Sequence, residues 1–109
     1  MSIRLPAAIA QYLDAENSGD LSALADCFAP AAVVRDEGGT HSGLAAIEQW
    51  MRETRRKYHH AIEPLALETK DPRVIVRNRL TGDFPGSPIE LRFAFTLDAD
   101  RITSLEIGG

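Results

Sequence analysis

Apolar residues recur at helical spacing from the start of the chain. Leu5, Ala8, Ile9, Tyr12 and Leu13 share one stripe, which predicts a first helix running from Pro6 to a stop at Asn17-Ser18-Gly19. Pro6 suits the first turn, where its missing N–H would have no partner. Asp20 can cap the next start, and Leu21, Leu24, Ala25 and Phe28 make a second, shorter stripe that should end before Pro30. Val33 and Val34 favour a strand, and Gly38-Gly39 favour a turn leading into a third helix from about Gly43 to Tyr58. That helix carries Leu44, Ile47, Met51 and Thr54 on one face with Trp50 beside them, and Arg55-Arg56-Lys57 at its end, where cations complement the helix dipole. The basic cluster therefore reads as helix surface.

Beyond residue 60 the pattern changes to strands. Ile62, Leu65 and Leu67 lead to a turn at Lys70-Asp71-Pro72, and Val74 to Leu80 form the next run. After the loop "TGDFPGSP", Ile89, Leu91, Phe93, Phe95 and Leu97 keep period two against Glu90, Arg92, Ala94 and Thr96, the mark of a strand with two different faces. Asp98-Ala99-Asp100 turns the chain into a last strand from Arg101 to Ile107. Three helices before a meander of strands, with one short strand among the helices, predict an α+β fold with mostly antiparallel pairing. A strongly curved sheet wrapped around helices leaves a cone with an open mouth, a place small-molecule pockets favour.

Composition narrows the classes. With 109 residues, 44% of them hydrophobic, the chain is expected to form a single domain over residues 1–109. A formal charge of -4 argues against a nucleic-acid partner. The lone Cys27 cannot form an internal disulfide and lies in an apolar pattern, as a small buried side chain does. No apolar run approaches the roughly 18 residues a bilayer requires, and "MSIRLPAAIAQYL" lacks the layout of a leader. A soluble, cytoplasmic protein is the expectation.

The polar residues offer few constellations. Asp36 before Glu-Gly-Gly is a good turn former whose side chain can bond the backbone two residues on. His41 lies in the glycine turn near it, either as an exposed loop residue or as a ligand-binding group. His59 and His60 are adjacent at a strand start, so they should point to opposite faces and hold no metal together. Arg77 and Arg79 share one strand face, and Asn78 joins Val74, Val76 and Leu80 on the other. If the apolar face points inward, Asn78 is a buried amide in need of a partner, such as a ligand or water. In the opposite register, Arg79 would be free to grip a carboxylate or pair with Asp36. Pairing with Glu90 across an outer face is the plainer outcome.

Read together, "YLDAENSGDLSALADCFAPAAVVRD", "HSGLAAIEQW" and "DADRITSLEI" resemble the nuclear transport factor 2-like (NTF2-like, cystatin-like) superfamily, in its ketosteroid isomerase and SnoaL-like polyketide cyclase branch. The resemblance covers nearly the whole chain. It implies a cone of three N-terminal helices on a curved, mostly antiparallel mixed sheet, and a homodimer through the outer sheet face. It also places Tyr12 where isomerases carry an oxyanion-hole tyrosine, Asp36 where they carry the base, and Phe93 where a second, protonated donor would stand. The chemistry implied is proton abstraction next to a carbonyl in a small hydrophobic molecule, with Asp36 as base and Tyr12 stabilising the enolate, and no metal or organic cofactor. Trp50, Asn78, Phe93, Phe95 and His41 are the expected substrate contacts. The alternative is a non-catalytic binding or dimerisation module whose pocket holds an apolar ligand or is filled by Trp50, Phe93 and Phe95. An epoxide hydrolase needs an Asp-Arg-Asp set, for which Asp36 and Arg79 are the only candidates.

Overall fold

The computed structural model describes residues 4–108; the extreme ends of the expected domain lie outside them. The elements run α1 (Ala7–Ser18), α2 (Leu24–Cys27), β1 (Phe28–Asp36), β2 (Gly39–Ser42), α3 (Leu44–Tyr58), β3 (Ala61–Lys70), β4 (Arg73–Thr81), β5 (Ile89–Asp98) and β6 (Arg101–Gly108). Helices packed on one sheet of order β2-β1-β6-β5-β4-β3 make the expected α+β cone. All neighbours pair antiparallel except β1 and β6, which are parallel. Pairing slips at Pro64/Ala66 in β3, at Thr96/Leu97 in β5 and between Phe28 and Val33 in β1. Such irregularities increase twist and bend a sheet, which is how it curls around the helices.

Helix α1 ends as its sequence dictates. Gly19 takes the left-handed conformation and its N–H bonds Ala15 O. The second helix is shorter than the apolar stripe suggests. Phe28 leaves it to pair with Ile102 and to pack edge-on against Tyr12, ring centres 5.6 Å apart. Pro30, expected to mark the boundary, lies within β1 where pairing with β6 lapses, so its missing N–H costs no ladder bond.

The glycine pair is also divided differently. Glu37 and Gly38, at φ 52° and 77°, form a two-residue hairpin turn, while Gly39 opens β2 opposite Asp36. His41 is thus a strand residue opposite Val34 and stacks on Trp50, ring centres 5.8 Å apart. The core lies between the helices and the concave sheet face, with Ile9, Tyr12, Ile47, Met51, Val76 and Phe95 among its buried side chains. Alternation along β4 places Val74, Val76 and Asn78 inside, while Arg77 and Arg79 are exposed.

Candidate active site

A cavity of about 360 Å³ opens between α3 and the concave face of the sheet. Its apolar wall comes mainly from Ile62, Leu80, Ile89, Leu91, Phe93 and Ile107, joined by Phe84 and Pro85 from the loop before β5. Trp50, Thr54 and Tyr58 line the helical side. Their spacing of four residues puts them on one face of α3. The polar contributors are Glu16, Asp36, Glu37 and His60.

Asp36 stands at the end of β1, half-buried, and accepts a hydrogen bond from the Trp50 indole N–H at 3.1 Å. Burial raises its carboxyl above the usual value of 3.8, the Trp50 bond opposes the rise, and the nearby charges of Glu37 and Glu16 add to it. The Asp36 side chain therefore reaches the cavity while the hairpin that follows it does the turning. Glu37, in that hairpin, accepts from the Tyr58 hydroxyl at 3.0 Å.

Tyr12, which the resemblance sets in an oxyanion hole, lies on the inward stripe of α1 without reaching the cavity. Its ring is fully buried among Phe28, Phe93 and Phe95 and does not line the cavity. Its hydroxyl donates to Glu16 Oε2 at 2.7 Å. Burial first, and then the Glu16 carboxylate, hold that hydroxyl protonated well above the usual phenol value. Glu16 is itself only 4% exposed and faces the cavity, with its Oε1 3.5 Å from His60 Nε2.

This arrangement is tied down by backbone contacts on both sides. Asn17 clamps Ile62, donating to its O at 2.9 Å and accepting from its N–H at 2.7 Å, and so fixes Glu16 against His60. Arg55 is not wholly helix surface: it donates to Glu16 O at 2.6 Å.

The remaining candidates divide. Trp50 and Phe93 line the cavity; Phe95 and Asn78 are buried but do not reach it, and His41 sits behind Trp50. Asn78 is fully buried with no protein partner for either amide atom among the described residues. Arg77 pairs with Glu90 at 3.2 Å and Arg79 with Glu63 at 3.4 Å, on the outer face and away from Asp36. The Asp-Arg-Asp set of an epoxide hydrolase is therefore not assembled from these residues.

His59 and His60 do face apart, though both precede β3. His59 ends α3 in the left-handed conformation and contacts Asp83 at 3.1 Å, while His60 is buried. Among the described residues no group of His, Cys, Asp and Glu side chains is arranged to hold a metal. Cys27 is buried, and burial pushes its thiol up to about 11. No helix among the described residues is long and apolar enough to cross a membrane.

Sequence reasoning missed Glu16, Glu37, Thr54, Tyr58 and the cavity role of His60. A signal existed for Glu16. It lies four residues after Tyr12, so an acid falls on the stripe that faces the core.

The cone has the fold of solved NTF2-like and cystatin-fold proteins. The SnoaL-like domain matches residues 9–105, and the chain belongs to that family. A protein from Sinorhizobium meliloti whose proposed activity is that of a polyketide cyclase is 40% identical over 94% of each chain, with a TM-score of 0.91. A protein of ketosteroid isomerase-like fold from Catenulispora acidiphila, solved with trimethylamine, is 18% identical over 97% of this chain and 87% of that one, at a TM-score of 0.81. SalBIII, an epoxide hydrolase/cyclase-like enzyme with a role in pyran ring formation in salinomycin, is 21% identical over 93% and 86%, at 0.72. The last two share the fold alone. No curated protein matches the chain in sequence.

Proposed function

We propose that the protein binds a small apolar carbonyl compound and acts on it as an isomerase or cyclase, with Asp36 taking the proton from the carbon next to the carbonyl. One observation carries this reading: a half-buried carboxylate of raised pKa, held by the Trp50 N–H, lies on the wall of a cavity of about 360 Å³. A base of raised pKa is a stronger proton acceptor near neutral pH, and a hollow of this size takes a ligand of modest dimensions. The reaction as written calls on no metal or organic cofactor. Asp36→Asn keeps the shape and removes the base, so turnover of an enolisable cyclic ketone should fall by about a hundredfold or more with the fold intact. Unchanged turnover would show that the base lies elsewhere.

A second reading, a non-catalytic binding module, draws on a different observation. An enolate needs a donor where its charge gathers. The Tyr12 hydroxyl is engaged by Glu16, and Phe93 offers none at the second donor position. A ligand that binds without being converted would favour this reading. For either, we infer a homodimer through the outer sheet face, whose centre carries the cross-strand pairs Ile75 with Ala94 and Thr96 with Ser104. Sedimentation equilibrium tests it, and a monomer at high concentration overturns it.

A further inference from the structure

The hydrogen-bonding groups on the cavity wall are unequally used. Each side-chain donor that lines it faces a protein acceptor: Trp50 Nε1 faces Asp36, Tyr58 Oη faces Glu37, and Thr54 Oγ1 faces the Trp50 carbonyl. His60 Nε2 stands 3.5 Å from Glu16, which favours the tautomer with its hydrogen on that nitrogen. His60 Nδ1 has no protein partner but is sealed from the cavity's solvent, so it adds no free donor there. The accepting oxygens of the wall are those of the Asp36, Glu37 and Glu16 carboxylates.

Charge points the same way. Among the described residues that line the cavity none is Lys or Arg; the one basic side chain among them, His60, faces Glu16, and Asp36 and Glu37 have no cation from within. Cationic or ionisable neighbours lie outside it, and Arg55 among them donates to the Glu16 main-chain O. Lys57 sits over the Tyr58 ring at 5.0 Å and near Glu37, and His41 stacks behind Trp50. Neither forms an ion pair with Asp36. The remaining wall is aliphatic or aromatic, with Trp50, Phe84 and Phe93 supplying rings. A site of unfilled acceptors, negative charge and aromatic surface is complementary to a cation that donates hydrogen bonds, and repels an anion.

We propose that the cavity selects a cationic ligand: an amine, protonated at neutral pH, carried on an apolar body, with its ammonium group beside Asp36 and Glu37 and its hydrocarbon against the sheet. This rests on reading the cavity as the ligand site, and is independent of whether Asp36 acts as a base. The same geometry works against substrates whose recognition depends on a carboxylate or phosphate.

The test uses three probes of one shape and different charge: cyclohexylmethylamine, cyclohexylmethanol and cyclohexanecarboxylate. Trp50 is the only tryptophan in the chain and lies on the cavity wall, so its fluorescence reports occupancy directly. The amine should bind about tenfold more tightly than the alcohol, and the carboxylate should not saturate where the amine does. In Asp36→Asn/Glu37→Gln, checked for folding by circular dichroism, amine and alcohol should converge; Glu37→Gln alone, in the exposed hairpin, should narrow the gap if the double variant does not fold. Equal affinities for amine and alcohol in the parent protein overturn the proposal and leave the cavity reading standing. So does a preference that survives these substitutions, because it then reflects the overall negative charge. Failure of all three probes to bind overturns both.

Discussion

The Tyr12 hydroxyl donates to Glu16 Oε2 at 2.7 Å, one turn along the same helix, and neither residue is more than 4% exposed. Removing the hydroxyl leaves a buried carboxylate without its best donor, and a buried acceptor that loses its partner costs about 1–3 kcal/mol. Tyr12→Phe should lower the unfolding free energy in urea by that amount. Tyr12→Phe combined with Glu16→Leu should recover most of it, since neither group is then left unpaired. Turnover should fall less in Tyr12→Phe than in Asp36→Asn. The reverse order would mean that the hydroxyl leaves Glu16 to reach the substrate.

Asp36 gives stability a pH dependence of defined sign. Its folded-state carboxyl holds its proton above the ordinary value of 3.8, chiefly through burial. As pH rises from that value through the folded-state one, the folded chain keeps a proton that the unfolded chain has released, so this group's contribution to stability falls and then levels off. Asp36→Asn removes the loss and can still accept from Trp50. It should unfold at a higher urea concentration than the parent at neutral pH, with the advantage disappearing below about pH 4. An advantage that grows on acidification would reverse the sign and refute the assignment.

Much of this architecture is written in periodicity. The stripe from Ala8 to Leu13 and the alternation from Ile89 to Leu97 state their elements directly, because burial on one face is what each period encodes. The end of α2 is less legible. Whether Phe28 closes a helix or opens a strand depends on Ile102, a partner distant in sequence. Asp36 and Trp50 were readable as neighbours of a hollow, and both line the cavity, but their hydrogen bond joins a strand end to a helix and no local pattern announces it. For Tyr12 the position was readable and the role was not, since Glu16 decides which way its hydroxyl points.

Gly82 is a point of close approach beside the cavity. A Cβ there would stand 2.6 Å from Tyr58 O and 3.0 Å from His60 Cα, both main-chain atoms that cannot swing aside. Tyr58 O also accepts the Asp83 N–H, so movement there disturbs the turn as well. Gly82→Ala should cost about 1–3 kcal/mol and lower the thermal midpoint by roughly 4–8 °C for each kcal/mol. Because Tyr58 and His60 both line the hollow, it should also weaken probe binding. Calorimetry and Trp50 fluorescence measure the two effects, and an unchanged midpoint would show that the backbone yields freely there.

Asn78 is the converse case, a polar side chain where an apolar one fits the pattern. It lies on the inner face of β4, opposite Pro64 of β3 and Leu91 of β5, with neither amide atom bonded to protein. Since it does not line the cavity, a ligand there reaches the amide only if the wall rearranges. Exchanging it for a β-branched residue suited to a buried strand removes an unpaired amide whose burial costs about 1–3 kcal/mol, at the risk of slight overpacking. Asn78→Val should therefore raise the urea midpoint by an amount equivalent to about 1 kcal/mol without changing the slope, and leave probe affinity as it was. Lower stability instead would mean that the amide is satisfied by trapped water. A fall in probe affinity would mean that it turns toward the ligand, and either result would place Asn78 in the polar network of the cone.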